Sequence, residues 1–172
     1  MPSSFRPRIG KNVFIAPNAI VQGRVKIGDF SSIWPGAVLR ADLNQIKVGR
    51  CTNIQDLSVL HVDRDRPCVV GDYVVCGHSV ILHACTVKDG SLVGMGSIVL
   101  DGAVIGSGTL LGAGSLVPQG GKLKPGCLYF GRPAKLIRRL SKREIKGLVN
   151  WAKGYVRMAK AHAAGRFETF FL

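Results

Sequence analysis

The sequence predicts an all-β solenoid, a stack of triangular coils built from short parallel strands, followed by one C-terminal α-helix. Three observations predict it: apolar residues recur every six positions, glycine or another small residue follows many of them, and apolar residues at helical spacing begin only after position 141. The eighteen apolar positions are Ile9, Ile15, Val21, Ile27, Ile33, Leu39, Val48, Ile54, Leu60, Val70, Cys76, Leu82, Val87, Val93, Val99, Ile105, Leu111 and Val117.

A repeat of six residues fits neither an α-helix nor an ordinary strand, because their side-chain periods are about 3.6 and 2. It fits a strand of about six residues that ends in a tight turn, with three such strands closing a coil of about 18 residues. The apolar residue of each repeat then points inward and stacks on its equivalents in the coils above and below. Extra residues within 40–47 and 61–69 lengthen two corners of the coil.

Counting repeats along the chain places three polar side chains in one vertical column. Leu82 lies one coil above Leu60, so His83 lies directly above His61, and the same count places Arg40 one coil below His61. Neighbouring coils should be about 4.8 Å apart, as neighbouring strands are. The two imidazoles are therefore expected close enough together to bind one metal ion.

His78 belongs to the preceding face of the coil, with Asp56 one coil beneath it. It lies around a corner from the other two histidines, so within a single prism it hardly reaches them. In a trimer packed face to face about a three-fold axis, His78 of one chain would meet His61 and His83 of its neighbour. The alternative is three unrelated surface histidines, because lone histidines are more often structural than metal ligands.

Three histidine nitrogens without a fourth protein ligand are typical of a catalytic zinc site, whose open position holds water. Metal binding lowers the pKa of such a water to about 7 and so supplies hydroxide at neutral pH. Asn53 and Gln55 offer amides, and Asp56 a carboxylate, to orient that water. Arg40 suits an anionic oxyacid or a carboxylate across the interface, for which Asp56 is the natural partner. Alternatively, Arg40, Asp42 and Asp56 form only an interface salt-bridge network.

Five stretches of the sequence carry a resemblance to a known family. They are SIWPGAVLRADLNQIKVG, TNIQDLSVLHVD, VGDYVVCGHSVILHACTV, VGMGSIVLDGAVIG and GRPAKLIR, which lie between residues 32 and 138. On these motifs the chain resembles the γ-class carbonic anhydrase family. The resemblance implies a left-handed parallel β-helix, a homotrimer, and reversible hydration of carbon dioxide to bicarbonate by a metal-bound hydroxide at the subunit interface. It implies zinc, with Fe²⁺ or Co²⁺ as alternative ions, bound by His61, His83 and, from the adjacent subunit, His78.

The same resemblance implies roles for four further residues. Gln55 is expected to orient the metal-bound water. Arg40 is expected to pair with Asp56 across the interface and to contact bicarbonate. Asp42, in the Arg-x-Asp pattern of the family, is expected at the interface.

The chain departs from the founding members of that family at two places. Their acidic loop, which carries a proton-transferring glutamate, is replaced after His61 by the short VDRDRPC, where Asp63 and Asp65 are the available carboxylates. The position after Asp42, a glutamate in those members, is Leu43. The resemblance therefore predicts a lyase of the γ class without identifying the residue that passes protons to solvent.

The sequence divides into a β-helix domain over residues 1–125 and a linker with a C-terminal amphipathic helix over residues 126–172. Ser141 and Glu144 form the Ser-x-x-Glu pattern of a capping box at the helix start. Apolar residues then follow at helical spacing, namely Ile145, Leu148, Val149, Ala152, Tyr155, Val156 and Ala159. Tyr155 either reaches the metal pocket, as a helix tyrosine does in some relatives, or only packs on the prism. His162 is expected on the surface.

Positive charge is concentrated in the C-terminal part of the chain. Of the net charge of +14, residues 122–172 contribute +11, from 13 Lys and Arg against two Glu. A basic amphipathic helix is typical of contact with anionic membranes or nucleic acid. Because no nucleic-acid motif is present and aromatic residues do not interleave with the charges, we expect no nucleic-acid partner. A solvated basic face is favoured, with membrane contact as the alternative.

The five cysteines show no CxxC or paired spacing. Together with the lack of an apolar segment in the N-terminal MPSSFRPRIG, this predicts reduced thiols and a cytoplasmic protein. No stretch is long enough to span a membrane.

The sequence thus predicts a trimeric metalloenzyme that hydrates carbon dioxide. Three alternatives remain: a metal-dependent thioesterase or other hydrolase on the same site, a hexapeptide acyltransferase, and a non-catalytic assembly subunit. The thioesterase needs a long groove for an acyl chain, and the acyltransferase usually takes one histidine on an extended loop as its base.

Overall fold

Short parallel strands coil into a triangular prism, and one long helix packs along it. The structure, a computed structural model, describes residues 5–167. It is a left-handed parallel β-helix with a C-terminal α-helix, which confirms the predicted fold class. The strands are β1 (Arg8–Ile9), β2 (Phe14–Ile15), β3 (Ile20–Ile27), β4 (Ser32–Ile33), β5 (Val38–Val48), β6 (Asn53–Ile54), β7 (Val59–His61), β8 (Cys68–Val70), β9 (Val75–Cys76), β10 (Ile81–His83), β11 (Thr86–Val87), β12 (Leu92–Val93), β13 (Ile98–Val99), β14 (Val104–Ile105), β15 (Leu110–Leu111), β16 (Leu116–Val117), β17 (Lys122–Leu123), β18 (Cys127–Phe130) and β19 (Lys135–Arg139), and the helix is α1 (Lys142–Ala163).

The prism has three faces. The first face comprises the start of β3, the start of β5, and β7, β10, β13 and β16; the second comprises β1, the ends of β3 and β5, and β8, β11, β14 and β17. Because β3 and β5 are long enough to turn a corner, these two faces form one 11-stranded sheet. The third face is a separate 8-stranded sheet in the order β19-β18-β15-β12-β9-β6-β4-β2.

The residues of the six-residue repeat form the core, as predicted. Leu39, Leu60 and Leu82 are Cα partners on successive coils and are fully buried. Every predicted inward position from Ile27 to Val117 is at most 3% exposed. The continuous column of apolar side chains buries surface from one coil to the next, which is the main source of stability in a solenoid.

The two ends of the prism differ. In the first coil Ile9 is 44% exposed, and Ile15 is only half-buried, because no coil within residues 5–167 lies beneath them. At the other end Leu123 and Tyr129 are buried, and the Tyr129 hydroxyl accepts a hydrogen bond from the Lys124 backbone N–H at 3.0 Å. The N-terminal end is therefore open and the C-terminal end is closed.

The segment 126–141, expected as a linker, contains two strands. β18 continues the third face by parallel pairing with β15, with Leu110 opposite Leu128. β19 then pairs antiparallel to β18. The sheet thus extends past residue 125, first through β18, which keeps the 18-residue spacing between coils, and then through β19, whose antiparallel pairing needs no six-residue period.

Helix α1 begins with the predicted capping box. The Ser141 hydroxyl accepts from the Glu144 N–H at 3.2 Å, and the Glu144 carboxylate accepts from the Ser141 N–H at 2.8 Å. Hydrogen bonds from Arg138 and then from Ser141 lower the pKa of Glu144 to about 2. The apolar side of α1 packs on the third face through Leu148 and Ala152. Within residues 5–167 no helix is long and apolar enough to cross a membrane.

His162 lies near the end of α1 and is half-buried, so the expectation of a surface position is wrong. Its ring meets Trp34 edge-on at a centroid distance of 5.0 Å and lies 5.7 Å from Phe14. These aromatic contacts fasten the end of the helix to the first coils.

Candidate metal centre

Arg40, His61 and His83 form one column on the first face. Their backbones are Cα partners on β5, β7 and β10, which confirms the register predicted by counting repeats. Around the corner, Asp56 lies beneath His78: the Ser79 N–H donates to the Asp56 carbonyl at 2.8 Å. The fold therefore holds two histidines at one corner of the prism and the third at another.

The rings of His61 and His83 face each other at the first corner. His61 Nδ1 and His83 Nε2 are 3.1 Å apart, and the ring centroids are 5.2 Å apart. The His61 side chain is 16% exposed and the His83 side chain 34% exposed, so both remain open to solvent on one side.

Each of the three histidines contacts a carboxylate through one ring nitrogen. In His61 and His83 this is the nitrogen that does not face the other histidine. His61 Nε2 lies 3.0 Å from Asp42, and His83 Nδ1 lies 2.9 Å from Asp101. His78 Nδ1 lies 2.7 Å from Asp56. A carboxylate accepts a hydrogen bond from an imidazole N–H and so fixes the tautomer and the orientation of the ring.

These contacts determine what the facing nitrogens can do. When both rings are neutral and donate their His61 Nε2–H and His83 Nδ1–H to the carboxylates, His61 Nδ1 and His83 Nε2 each present a lone pair. Two lone pairs cannot hydrogen-bond to each other. In that state both nitrogens can bind one cation placed beside the pair.

Asp42 is ionised throughout the physiological pH range. Desolvation alone would raise its pKa, but hydrogen bonds from His61 and Arg40 outweigh that effect and lower the pKa to about 2. Arg40 forms its ion pair with Asp42 within the chain. Asp42 thus joins Arg40 to His61.

Sequence reasoning missed the role of two carboxylates. Asp42 was expected only at an interface, and Asp101 was not singled out at all. The available signal was position: Asp101 follows the strand that lies one coil above His83, 18 residues later in the chain. A carboxylate placed one residue beyond a histidine column can reach that column from the next coil.

His78 lies apart from the other two histidines. Its side chain is 48% exposed, and Asp56 contacts its Nδ1 rather than its Nε2. Within residues 5–167 of one chain, no group of three or more His, Cys, Asp or Glu side chains lies close enough together to hold a metal ion.

Gln55 and Asn53 bind each other on the third face. Gln55 Nε2 donates to Asn53 Oδ1 at 2.8 Å, and both residues are buried, at 3% and 1% exposure. Asn53 Nδ2 in turn donates to the Val74 carbonyl at 3.3 Å. Gln55 lies directly before Asp56, so within the chain it belongs to the His78 side of the site.

Tyr155 projects from α1 toward that same side. Its ring meets Trp34 edge-on at a centroid distance of 5.8 Å, so Tyr155 packs on the prism, which was one of the two expectations for it. Burial, and then the nearby negative charge of Asp56, raise the pKa of Tyr155. The hydroxyl therefore remains protonated at physiological pH and can donate a hydrogen bond near Asp56.

Comparison with known proteins identifies similar chains. A family model described as bacterial transferase hexapeptide (six repeats) matches residues 6–41. The chain is 44% identical over 170 residues to gamma carbonic anhydrase 2, mitochondrial, of Arabidopsis thaliana. The aligned region covers 95% of this chain and 61% of the plant protein. It is 47% identical over 152 residues to the probable carbonic anhydrase of Methanocaldococcus jannaschii. Here the aligned region covers 88% of this chain and 96% of the archaeal protein. The chain thus spans less than two thirds of the plant relative and nearly all of the archaeal relative.

A solved structure has the same fold over almost its whole length. It is a hexapeptide transferase family protein from Anaplasma phagocytophilum, with a TM-score of 0.86 and 46% identity. The superposition covers 90% of this chain and 92% of that one.

Proposed function

Because the chain belongs to the γ-class carbonic anhydrase family, we propose that it catalyses the reversible hydration of carbon dioxide to bicarbonate. The reaction takes place at a metal centre shared between subunits of a homotrimer, with His61 and His83 from one subunit and His78 from the next as ligands. One observation carries the proposal: His61 Nδ1 and His83 Nε2 lie 3.1 Å apart, while the other nitrogens of the two rings contact Asp42 and Asp101. Metal-binding histidines are usually held in this way.

The donor set fits a divalent transition metal. Imidazole suits zinc and iron, and we propose Zn²⁺, with Fe²⁺ or Co²⁺ as the alternative ions. When bound, such an ion acts as a Lewis acid that lowers the pKa of water to about 7 and so supplies hydroxide at neutral pH. The histidines themselves serve as neutral ligands, because the carboxylates behind them accept their remaining N–H groups.

Apolar side chains on the outside of the first face support the trimer. Ile20, Val38, Val59, Ile81 and Ile98 are Cα partners in one column beside the column of His61 and His83. The first, third and fourth of them are 52%, 37% and 40% exposed in the single chain. Covering this column with neighbouring subunits removes apolar surface from water at about 25 cal/mol per Å², and the same packing brings the two histidine corners together.

The remaining polar groups bind and orient the reactants. Gln55 Nε2 donates a hydrogen bond to Asn53, and Gln55 Oε1 then accepts a hydrogen bond from the attacking water. Arg40 has guanidinium N–H groups beyond those that Asp42 uses, and they hold bicarbonate and reach Asp56 of the next subunit. Tyr155, as a neutral hydroxyl, lines the pocket from the His78 side.

Stopped-flow carbon dioxide hydration tests the proposal. We expect activity in anaerobically prepared zinc or iron protein, increasing with the concentration of an imidazole buffer because the acidic proton-transfer loop of the founding members is replaced by the short segment after His61. A panel of acyl thioesters is assayed in parallel, with and without an acceptor amine. Thioester hydrolysis or acyl transfer in every metal form, without carbon dioxide hydration at any buffer concentration, would show that the alternative enzymes are correct.

Replacing Asp101 by asparagine should weaken metal binding about 10- to 100-fold, because the amide carries no charge to polarise and hold the His83 ring. The measurement is a titration against a competing chelator. Asp72→Asn is the matched control, since Asp72 pairs with Arg50 at 3.1 Å and touches no histidine. Equal affinities for the Asp101→Asn and Asp72→Asn proteins would remove Asp101 from the site.

A further inference from the structure

Five cationic side chains cluster on the second face at the open, N-terminal end of the prism. This cluster, the basic patch, consists of Arg6, Arg8, Arg24, Lys26 and Lys47. These side chains line a groove with a volume of about 610 Å³. No acidic residue lines it. Within residues 5–167, none of the five cations forms an ion pair.

The strand register forces three of these charges into a stack. Arg8, Lys26 and Lys47 are Cα partners on β1, β3 and β5, and all three are exposed. Neighbouring strands lie about 4.8 Å apart, and like charges directly opposite each other destabilise a sheet. On the next three strands the column continues with Val69, Thr86 and Val104, so the three adjacent charges form a separate cluster at this end of the prism.

Arg24 is held in place beside that stack. Its Nη2 donates to the Leu43 carbonyl at 2.6 Å, and its guanidinium lies 4.8 Å from the centre of the Phe5 ring. A guanidinium has five N–H donors, so most remain available for a ligand. By contrast Arg50, in the next groove along the same face, is neutralised by Asp72.

We infer that the basic patch is a binding site for a ligand that carries two or more clustered phosphate groups. Arginine and lysine together are the usual partners of phosphate, and a ligand with a single charge leaves most of the stack uncompensated. The concave volume lies within the range of about 300–1,000 Å³ found for small-molecule sites. Such a ligand is either a soluble polyphosphorylated compound or a lipid headgroup with several phosphates. The site is separate from the proposed metal centre, which lies on the first face.

Calorimetric titration of the full chain with inorganic tripolyphosphate tests the inference, with orthophosphate as the comparison. We expect tripolyphosphate to bind more tightly than orthophosphate and its affinity to fall steeply with added salt. Lys26→Gln combined with Lys47→Gln should weaken binding about tenfold or more. Lys142→Gln combined with Lys146→Gln, which removes the same charge from exposed positions on α1, should leave binding unchanged. Equal losses in the two double variants, or equal affinity for the two phosphates, would overturn the inference.

Two further measurements sharpen the test. Without ligand and at low salt, Lys26→Gln should raise the thermal midpoint, because it relieves repulsion in the stack; a lower midpoint would mean that the charges are already compensated. Sedimentation with vesicles of phosphatidylcholine, with and without a polyphosphorylated inositol lipid, distinguishes the two sources. Binding only to the inositol lipid, in competition with tripolyphosphate, assigns the headgroup, whereas binding to tripolyphosphate alone assigns a soluble ligand.

Discussion

Replacing His78 by alanine is expected to lower the metal content and to weaken the trimer together. In the proposed site His78 is the ligand that crosses between subunits, so the free energy of metal binding is also free energy of assembly. The loss of metal affinity should exceed the factor of about 10 to 100 that follows removal of an outer hydrogen-bond partner. Elemental analysis and sedimentation of the same samples measure both effects.

His162→Ala is the matched control for that experiment. His162 packs between Phe14 and Trp34 and lies outside the proposed site, so its removal should loosen the end of α1 while the protein keeps its metal. If the His78→Ala protein retained its full metal content, His78 would not be a ligand.

Arg40→Ala and Asp56→Ala are each expected to weaken the trimer by up to about 3–5 kcal/mol, because each leaves the other charge buried at the interface without its partner from the neighbouring subunit. The double variant should lose little more than either single variant. Within one chain Arg40 pairs with Asp42, and Asp56 pairs with His78. Each charge therefore has one partner before assembly, and in the proposed trimer the contact between Arg40 and Asp56 is added to these two.

A double-mutant cycle on trimer dissociation measures that coupling. Arg50 and Asp72 provide the control cycle, because they form an exposed ion pair within the chain on another part of the prism. Their removal should leave dissociation unchanged. Purely additive effects of the Arg40 and Asp56 substitutions would mean that the two side chains do not touch, and the packing proposed for the trimer would have to be changed.

The register of the solenoid was predictable from the sequence because one physical requirement determines it. Each apolar residue must point inward, so the spacing of Leu39, Leu60 and Leu82 also determines where Arg40, His61 and His83 lie relative to one another. The same reasoning placed Asp56 beneath His78. Neither result required knowledge of side-chain conformation.

The contacts between side chains were not predictable in the same way. Which nitrogen of His83 meets Asp101 depends on ring rotation and on the reach of a side chain from the next coil, neither of which the repeat determines. The burial of His162 depends on Phe14 and Trp34, which lie far away in the sequence. β18 was missed although it keeps the 18-residue spacing between coils, because its inward residue is Tyr129 rather than a small or aliphatic one. β19 was missed because it pairs antiparallel to β18, outside the six-residue period.

The two unequal ends of the prism have a consequence for how the molecule loses its order. In a stack where each coil contacts only its neighbours, fraying begins at the end with the least cover. Here that is the N-terminal coil, where Ile9 is 44% exposed. His61 and His83 lie on the third and fourth of the six strands of the first face. Thermal opening must therefore remove the outer coils before it reaches either histidine, so the middle of the stack is the place where a shared site is least disturbed by the ends.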